Sequence, residues 1–135
     1  AYTWQYQSWG PDMILSTGPY AIGEGFDSVD DYLVSPGIAL KKDITYALTV
    51  SMRNTFAGMA ERVSLLVGTD PNDPSTFRVI DSNEAYDVMS DGQGNNGRPW
   101  EADFQVSETG TYYMAVRGYT TREDNASGLF EWSVR

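Results

Sequence analysis

Across residues 45–53 apolar and polar side chains alternate without a break. Tyr46, Leu48, Val50 and Met52 hold one parity, and Thr45, Ala47, Thr49 and Ser51 the other. A period of two marks a strand with one buried face, because successive side chains leave a pleated strand on opposite sides. The pattern recurs. Tyr2, Trp4 and Tyr6 alternate with Thr3 and Gln5, and shorter runs fall at 13–16, 32–35, 37–40, 62–69, 77–81, 86–89, 100–106, 111–119 and 129–134. Turn formers separate them: Gly10-Pro11, Gly18-Pro19, Lys41-Lys42-Asp43 and Asp70-Pro71-Asn72-Asp73-Pro74. Pro36 breaks one run, and a residue without a ladder N–H belongs on an edge strand or at a bulge.

One segment competes for a helix. Phe56, Met59, Ala60, Val63 and Val67 have helical spacing. Gly58 interrupts it, and Val63-Ser64-Leu65-Leu66-Val67 is rich in strand formers, so the expectation is a loop to Ala60 and a strand after it. Many short strands, frequent turns and no secure helix predict an all-β, antiparallel β-sandwich forming a single domain over 1–135. Its core is expected to combine Tyr46, Leu48, Val50 and Met52 with Val63, Leu65, Val67, Phe104, Val106, Tyr112, Met114 and Val116.

Composition removes whole classes of chemistry. The 135 residues include no cysteine and no histidine. Disulfides, thiolate nucleophiles, Ser-His-Asp arrangements and the commonest transition-metal ligands are therefore excluded. Nineteen acids against nine bases leave a net charge of −10, which argues against nucleic acid and anionic membranes as partners. The longest apolar stretches, such as 44–52, fall far short of the roughly 18 residues that span a bilayer, so no membrane insertion is expected. The sequence opens on Ala1 without a leader pattern, and it reads as either a processed chain or an excised piece of something longer, with no compartment fixed by its chemistry.

Oxygen ligands are plentiful. Asp27, Asp30 and Asp31, with Glu24 and Ser28 beside them, are a candidate calcium loop, since calcium takes six to eight oxygens in flexible geometry. The alternative is a solvated acidic approach to an edge strand, where charge blocks edge-to-edge pairing. Asp81, Asn83, Glu84, Asp87 and Asp91 lead into Gly92, Gly94 and Gly97. The EF-hand pattern fails there from either Asp81 or Asp91, and no lysine accompanies the glycines as a phosphate loop needs. That region reads as a long surface loop.

Trp9, Trp100 and Tyr119 stand beside loops, whereas Trp4, Tyr46, Tyr112 and Trp132 lie within strand runs and read as packing residues. An aromatic ring beside acids, amides and arginine has the composition of a sugar-binding face or a protein-interaction patch. The candidate ligand site is Trp100 and Tyr119, with Arg98 and nearby Asp91 or Asn95 taking hydroxyls of a neutral sugar. The competing reading packs Trp100 inward. Asn125-Ala126-Ser127 fits the glycosylation tripeptide, a pattern frequent by chance.

Asp30-Asp31-Tyr32-Leu33-Val34-Ser35-Pro36-Gly37-Ile38-Ala39-Leu40 followed by Thr45-Tyr46-Ala47-Leu48-Thr49-Val50 resembles the signature of cleaved-adhesin domains of gingipain-type haemagglutinin/adhesin regions. Glu61-Arg62-Val63-Ser64-Leu65-Leu66-Val67-Gly68-Thr69, Gly110-Thr111-Tyr112-Tyr113 and Gly128-Leu129-Phe130-Glu131 continue the likeness in order. Tyr32 stands where the family usually has tryptophan. The resemblance implies a jelly-roll sandwich of a bacterial secreted or surface protein. It also implies calcium held by acids near the first strands (Asp27, Asp30, Asp31) and in the last strand, where Glu131 is the candidate. The run from Gly110 to Tyr119 is similar, more weakly, to bacterial pre-peptidase C-terminal domains, which are also sandwiches of exported proteins. The expected function is a non-catalytic accessory or adhesion module that binds carbohydrate or glycoconjugate. The alternative is a protein-adhesion or spacer domain, touching a host or surface protein or other domains of its own polypeptide.

Overall fold

A computed structural model describes residues 4–9, 12–17, 30–54, 61–86, 99–119 and 132–134. Ten strands run in chain order: β1 Trp4–Trp9, β2 Asp12–Thr17, β3 Asp31–Val34, β4 Ile38–Leu40, β5 Tyr46–Asn54, β6 Glu61–Gly68, β7 Arg78–Tyr86, β8 Pro99–Phe104, β9 Gly110–Gly118 and β10 Trp132–Val134. Every pairing between them is antiparallel. One sheet has the order β1-β2-β10-β5-β8; the other has β3-β9-β6-β7, with β4 also paired to β9. From β2 onward the chain passes repeatedly between the sheets, as in a jelly roll. Among the described residues the one helical element is a 3₁₀ turn, Pro74–Thr76. No helix there is long and apolar enough to cross a membrane.

Pro36 falls between β3 and β4, which both lie along β9 at the edge of their sheet. The segment contested between helix and strand is strand from Glu61 onward. A correction concerns 77–89, where two runs were expected. Residues Arg78–Tyr86 form one strand, so Asp81, Asn83 and Glu84 belong to β7 and not to a loop. The pairing Leu65↔Asp81 followed by Leu66↔Val79 leaves Ile80 as an extra residue, and this bulge explains why the alternation looked broken there.

The core fills the space between the sheets. Val50, Val63, Leu65, Ala102 and Val116 form one cluster, and Leu40, Val67, Phe104, Val106 and Met114 a second. Leu48 and Ile80 pack against both, and Tyr46 and Tyr112 against the second only. Burial of such side chains contributes about 1.5–3 kcal/mol each. Met52 is paired with Val134 in the ladder. The buried set also includes Leu66 and Ala115, which have the opposite parity to Leu65 and Val116 and therefore face away from the other sheet. Phe77 helps to roof that outer side. Its ring lies so close over Gly68 that a Cβ there would sit 2.5 Å from the ring.

The turn before the 3₁₀ element follows the expected Asp70–Pro74 signal. Asp73 caps it, accepting from the backbone N–H and the hydroxyl of Ser75 at 3.0 and 2.6 Å. Those bonds hold the Asp73 carboxyl below its ordinary range. In the Lys41-Lys42-Asp43 turn, Asp43 takes a positive φ of 61°, which a short polar side chain tolerates.

Candidate binding face on the outer side of the second sheet

Because Val63, Leu65 and Val116 point into the core, residues of the other parity on β6 and β9 point outward. Register then sets a row across four strands: Tyr32 opposite Arg117, Arg117 opposite Ser64, and Ser64 opposite Ser82. A second row follows at the strand ends, where the Tyr119 N–H donates to the Arg62 carbonyl at 3.0 Å. Asp30 flanks this row beside β3, and Glu84 flanks it on β7.

The side chains of the two rows interlock. Arg117 donates from Nε and Nη2 to the two carboxylate oxygens of Asp30 at 2.7 and 2.9 Å. Such a bidentate pair fixes the plane of the guanidinium. These bonds push Arg117 above its ordinary pKa against a smaller opposing effect of burial. Arg62 Nε donates to Glu84 Oε2 at 2.6 Å. The Tyr119 hydroxyl donates to Glu84 Oε1 at 2.6 Å and accepts from Ser64 Oγ at 3.4 Å. Ser64 is buried, and its Oγ also lies 3.0 Å from Ser82 Oγ. Partial burial and then the bond to Glu84 raise the Tyr119 pKa. The guanidinium carbons of Arg62 and Arg117 lie 4.8 and 5.0 Å from the Tyr119 ring centre, and Arg117 lies 5.4 Å from that of Tyr32. The Tyr32 and Phe77 rings are 6.4 Å apart.

This face offers two aromatic rings and two oriented guanidiniums, balanced by two carboxylates. It can stack, accept and donate. The chain contains no histidine or cysteine, so this face holds no imidazole or thiolate.

The expected sugar site is divided by the fold. Trp100, Ala102 and Phe104 share the inward parity of β8. Trp100 packs against the core, and its Nε1 donates to Asp81 Oδ2 at 2.9 Å. Tyr119 lies on the outer face. The two aromatics therefore point in different directions, and Trp100 follows the competing inward reading. Arg98, Asp91 and Asn95 lie outside the described residues. Of the calcium candidates, Asp27 and Glu131 lie outside them too, and Asp31 is described only by its place in β3. Asp30 accepts from Arg117 with both of its carboxylate oxygens. Among the described residues no group of three acidic side chains could hold a metal.

In sequence, Arg62 and Arg117 do not stand out as site residues, and Glu84 belongs to an acidic run that reads as a surface loop. A signal existed: Arg117 in β9 and Tyr119 just after its end share one parity, as do Arg62 and Ser64 in β6. Alternation places each pair outward, but it does not reveal which strands are neighbours.

No family model matches the sequence, and no curated protein matches it. Solved structures do. The K3 cleaved adhesin domain of Lys-gingipain from Porphyromonas gingivalis W83 superposes with a TM-score of 0.63 at 20% identity, over 98% of this chain and 80% of that one. The K1 cleaved adhesin domain of the same protein gives 0.60 at 19% identity, over 99% and 83%. At such identity the likeness is one of architecture: this chain has the β-sandwich fold of the gingipain cleaved adhesin domains.

Proposed function

We propose that the domain is a non-catalytic, adhesion-type accessory module of an exported bacterial protein, working at the cell surface or outside the cell. It holds a protein partner on the outer face of the β3-β9-β6-β7 sheet. The observation that carries this reading is the Tyr119 ring with Arg62 and Arg117 beside it, each arginine fixed by a carboxylate. Tyrosine and arginine dominate interface hot spots, and side chains already fixed lose less entropy on binding. The fold likeness to two adhesin domains supports the same reading. Carbohydrate is the second reading. Tyr119 favours it, as a ring flanked by both donors and acceptors.

The test is a double variant, Arg117→Ser with Tyr119→Ser, assayed against immobilised host-surface proteins and a glycan array. Circular dichroism first verifies that the fold is kept. Wild-type binding to a protein that weakens at least about tenfold in the variant, roughly 1.4 kcal/mol, supports the proposal. Loss of glycan binding instead transfers the face to the sugar reading. Binding that survives in the variant removes this face from adhesion.

A further inference from the structure

The two ion pairs of the outer face are unequally presented to solvent. Side-chain exposure is 34% for Arg62 against 59% for its partner Glu84, and 32% for Arg117 against 55% for Asp30. The guanidiniums lie against the rings of Tyr119 and Tyr32, and the carboxylates are the charges that an approaching molecule meets first. Register sets them at the two ends of one row. Asp31 pairs with Gly118, which brings Asp30 opposite Tyr119. Tyr119 meets Arg62, and Glu84 follows on β7 with its carboxylate on Arg62. The row crosses the lines of four strands, so its ends stand three strand spacings apart, roughly 14 Å.

We infer that the partner held on this face is basic. It presents two ammonium or guanidinium groups, one to Asp30 and one to Glu84, with an aromatic side chain between them over Tyr119 and Arg62. This rests on the outer face being the docking surface, and it states what the docked segment carries. An extended segment rises about 3.3 Å per residue and turns alternate side chains to one side. Laid along the row, it places its two cations at positions i and i+4 and its aromatic at i+2. A spacing of i and i+3 turns one cation away from the face.

Three observations favour a cationic partner over an anionic one. Asp30 accepts one bond at each oxygen from Arg117, and an ionised carboxylate has about four acceptor positions, which leaves room for a second cation. The Nε edges of both arginines are already turned to carboxylates, so an anion reaching for them meets like charge beside its target. The chain as a whole carries −10, and such a field draws cations in and holds anions off. The aromatic position follows from the row itself, since guanidinium planes stack on ring faces.

The test measures binding of a rhodamine-labelled peptide, Thr-Lys-Thr-Tyr-Thr-Lys-Thr, to the 135-residue protein by fluorescence anisotropy. One control peptide carries Glu in place of both Lys, and another moves the second Lys one position nearer the first. The expected result is saturable binding by the first peptide, weaker by about tenfold or more for the Glu control and several-fold weaker for the shifted one. Raising salt from about 0.02 to about 0.3 M should weaken it too, by shortening the range of charge attraction. Asp30→Asn with Glu84→Gln should lose about tenfold in affinity. Glu101→Gln with Asp103→Asn, the same change of charge at exposed positions of β8, should leave it unchanged, and circular dichroism verifies the fold of both variants. No binding by the Lys peptide, equal binding by the Glu peptide, or equal losses in the two double variants would each overturn the proposal. A host-surface protein lost by Arg117→Ser with Tyr119→Ser but kept by Asp30→Asn with Glu84→Gln would retain the docking face and refute its basic partner.

Discussion

Trp100 on β8 donates its indole N–H to Asp81 on β7 at 2.9 Å, a hydrogen bond that joins the two sheets. The bulge at Ile80 makes it possible: Ile80 packs into the core, and Asp81, the residue after it, also reaches the facing sheet. A second link runs from the Arg78 guanidinium to the Gln105 carbonyl. Trp100→Phe should cost about 0.5–1.5 kcal/mol, the net value of one such bond. Trp100→Ala should cost about 3 kcal/mol, near the low end for a large aromatic because the ring is only partly buried. Urea unfolding reads both. A Trp100→Ala domain as stable as wild type would mean that the ring is not a packing residue.

Gly68 is held by its roof. A methyl group on its α-carbon would overlap the near atoms of the Phe77 ring at 2.5–2.7 Å, and those atoms cannot swing aside without moving the loop. Gly68→Ala is expected to destabilise by about 1–3 kcal/mol, the range for overpacking. Combining it with Phe77→Ala should give less than the sum of the single losses. Additivity would show that the ring is not the obstacle.

Alkaline pH should act through Tyr119. Its pKa is raised in the folded state by partial burial and by its bond to Glu84. The unfolded chain then gives up this proton first. The associated stability is fully present below the ordinary tyrosine value of about 10 and is lost as pH rises through the raised folded value. Melting temperatures measured from pH 8 upward should fall in that window for wild type and less so for Tyr119→Phe. Identical profiles would remove Tyr119 as the source.

Asp30 is expected to act as the partner of Arg117, and not as a cation ligand. Asp30→Asn should lower stability by no more than about 1 kcal/mol, since the pair is half exposed. It should leave any calcium-dependent rise in melting temperature unchanged. A calcium response present in wild type and absent in Asp30→Asn would place the ion on Asp30, against the bidentate geometry. A shift kept in both would leave Asp27, Asp31 and Glu131 as the acids to substitute next.

What the sequence determined by itself is local. Alternation along 45–53 established β5 and its buried parity, Pro36 marked the break between β3 and β4, and the Asp70–Pro74 signal placed the tight turn, because these depend on neighbours within a few residues. The inward parity of Leu65, Phe104 and Val116 was legible for the same reason. Sheet order was not, since pairing partners are chosen by how the whole chain packs and not by any one strand's pattern. Tertiary structure therefore decided that Arg117 would meet Asp30 across 87 positions, and Tyr119 would meet Glu84 across 35. It also turned Trp100 inward, where an indole finds both apolar contact and an acceptor, and away from Tyr119, with which sequence proximity to loops had grouped it.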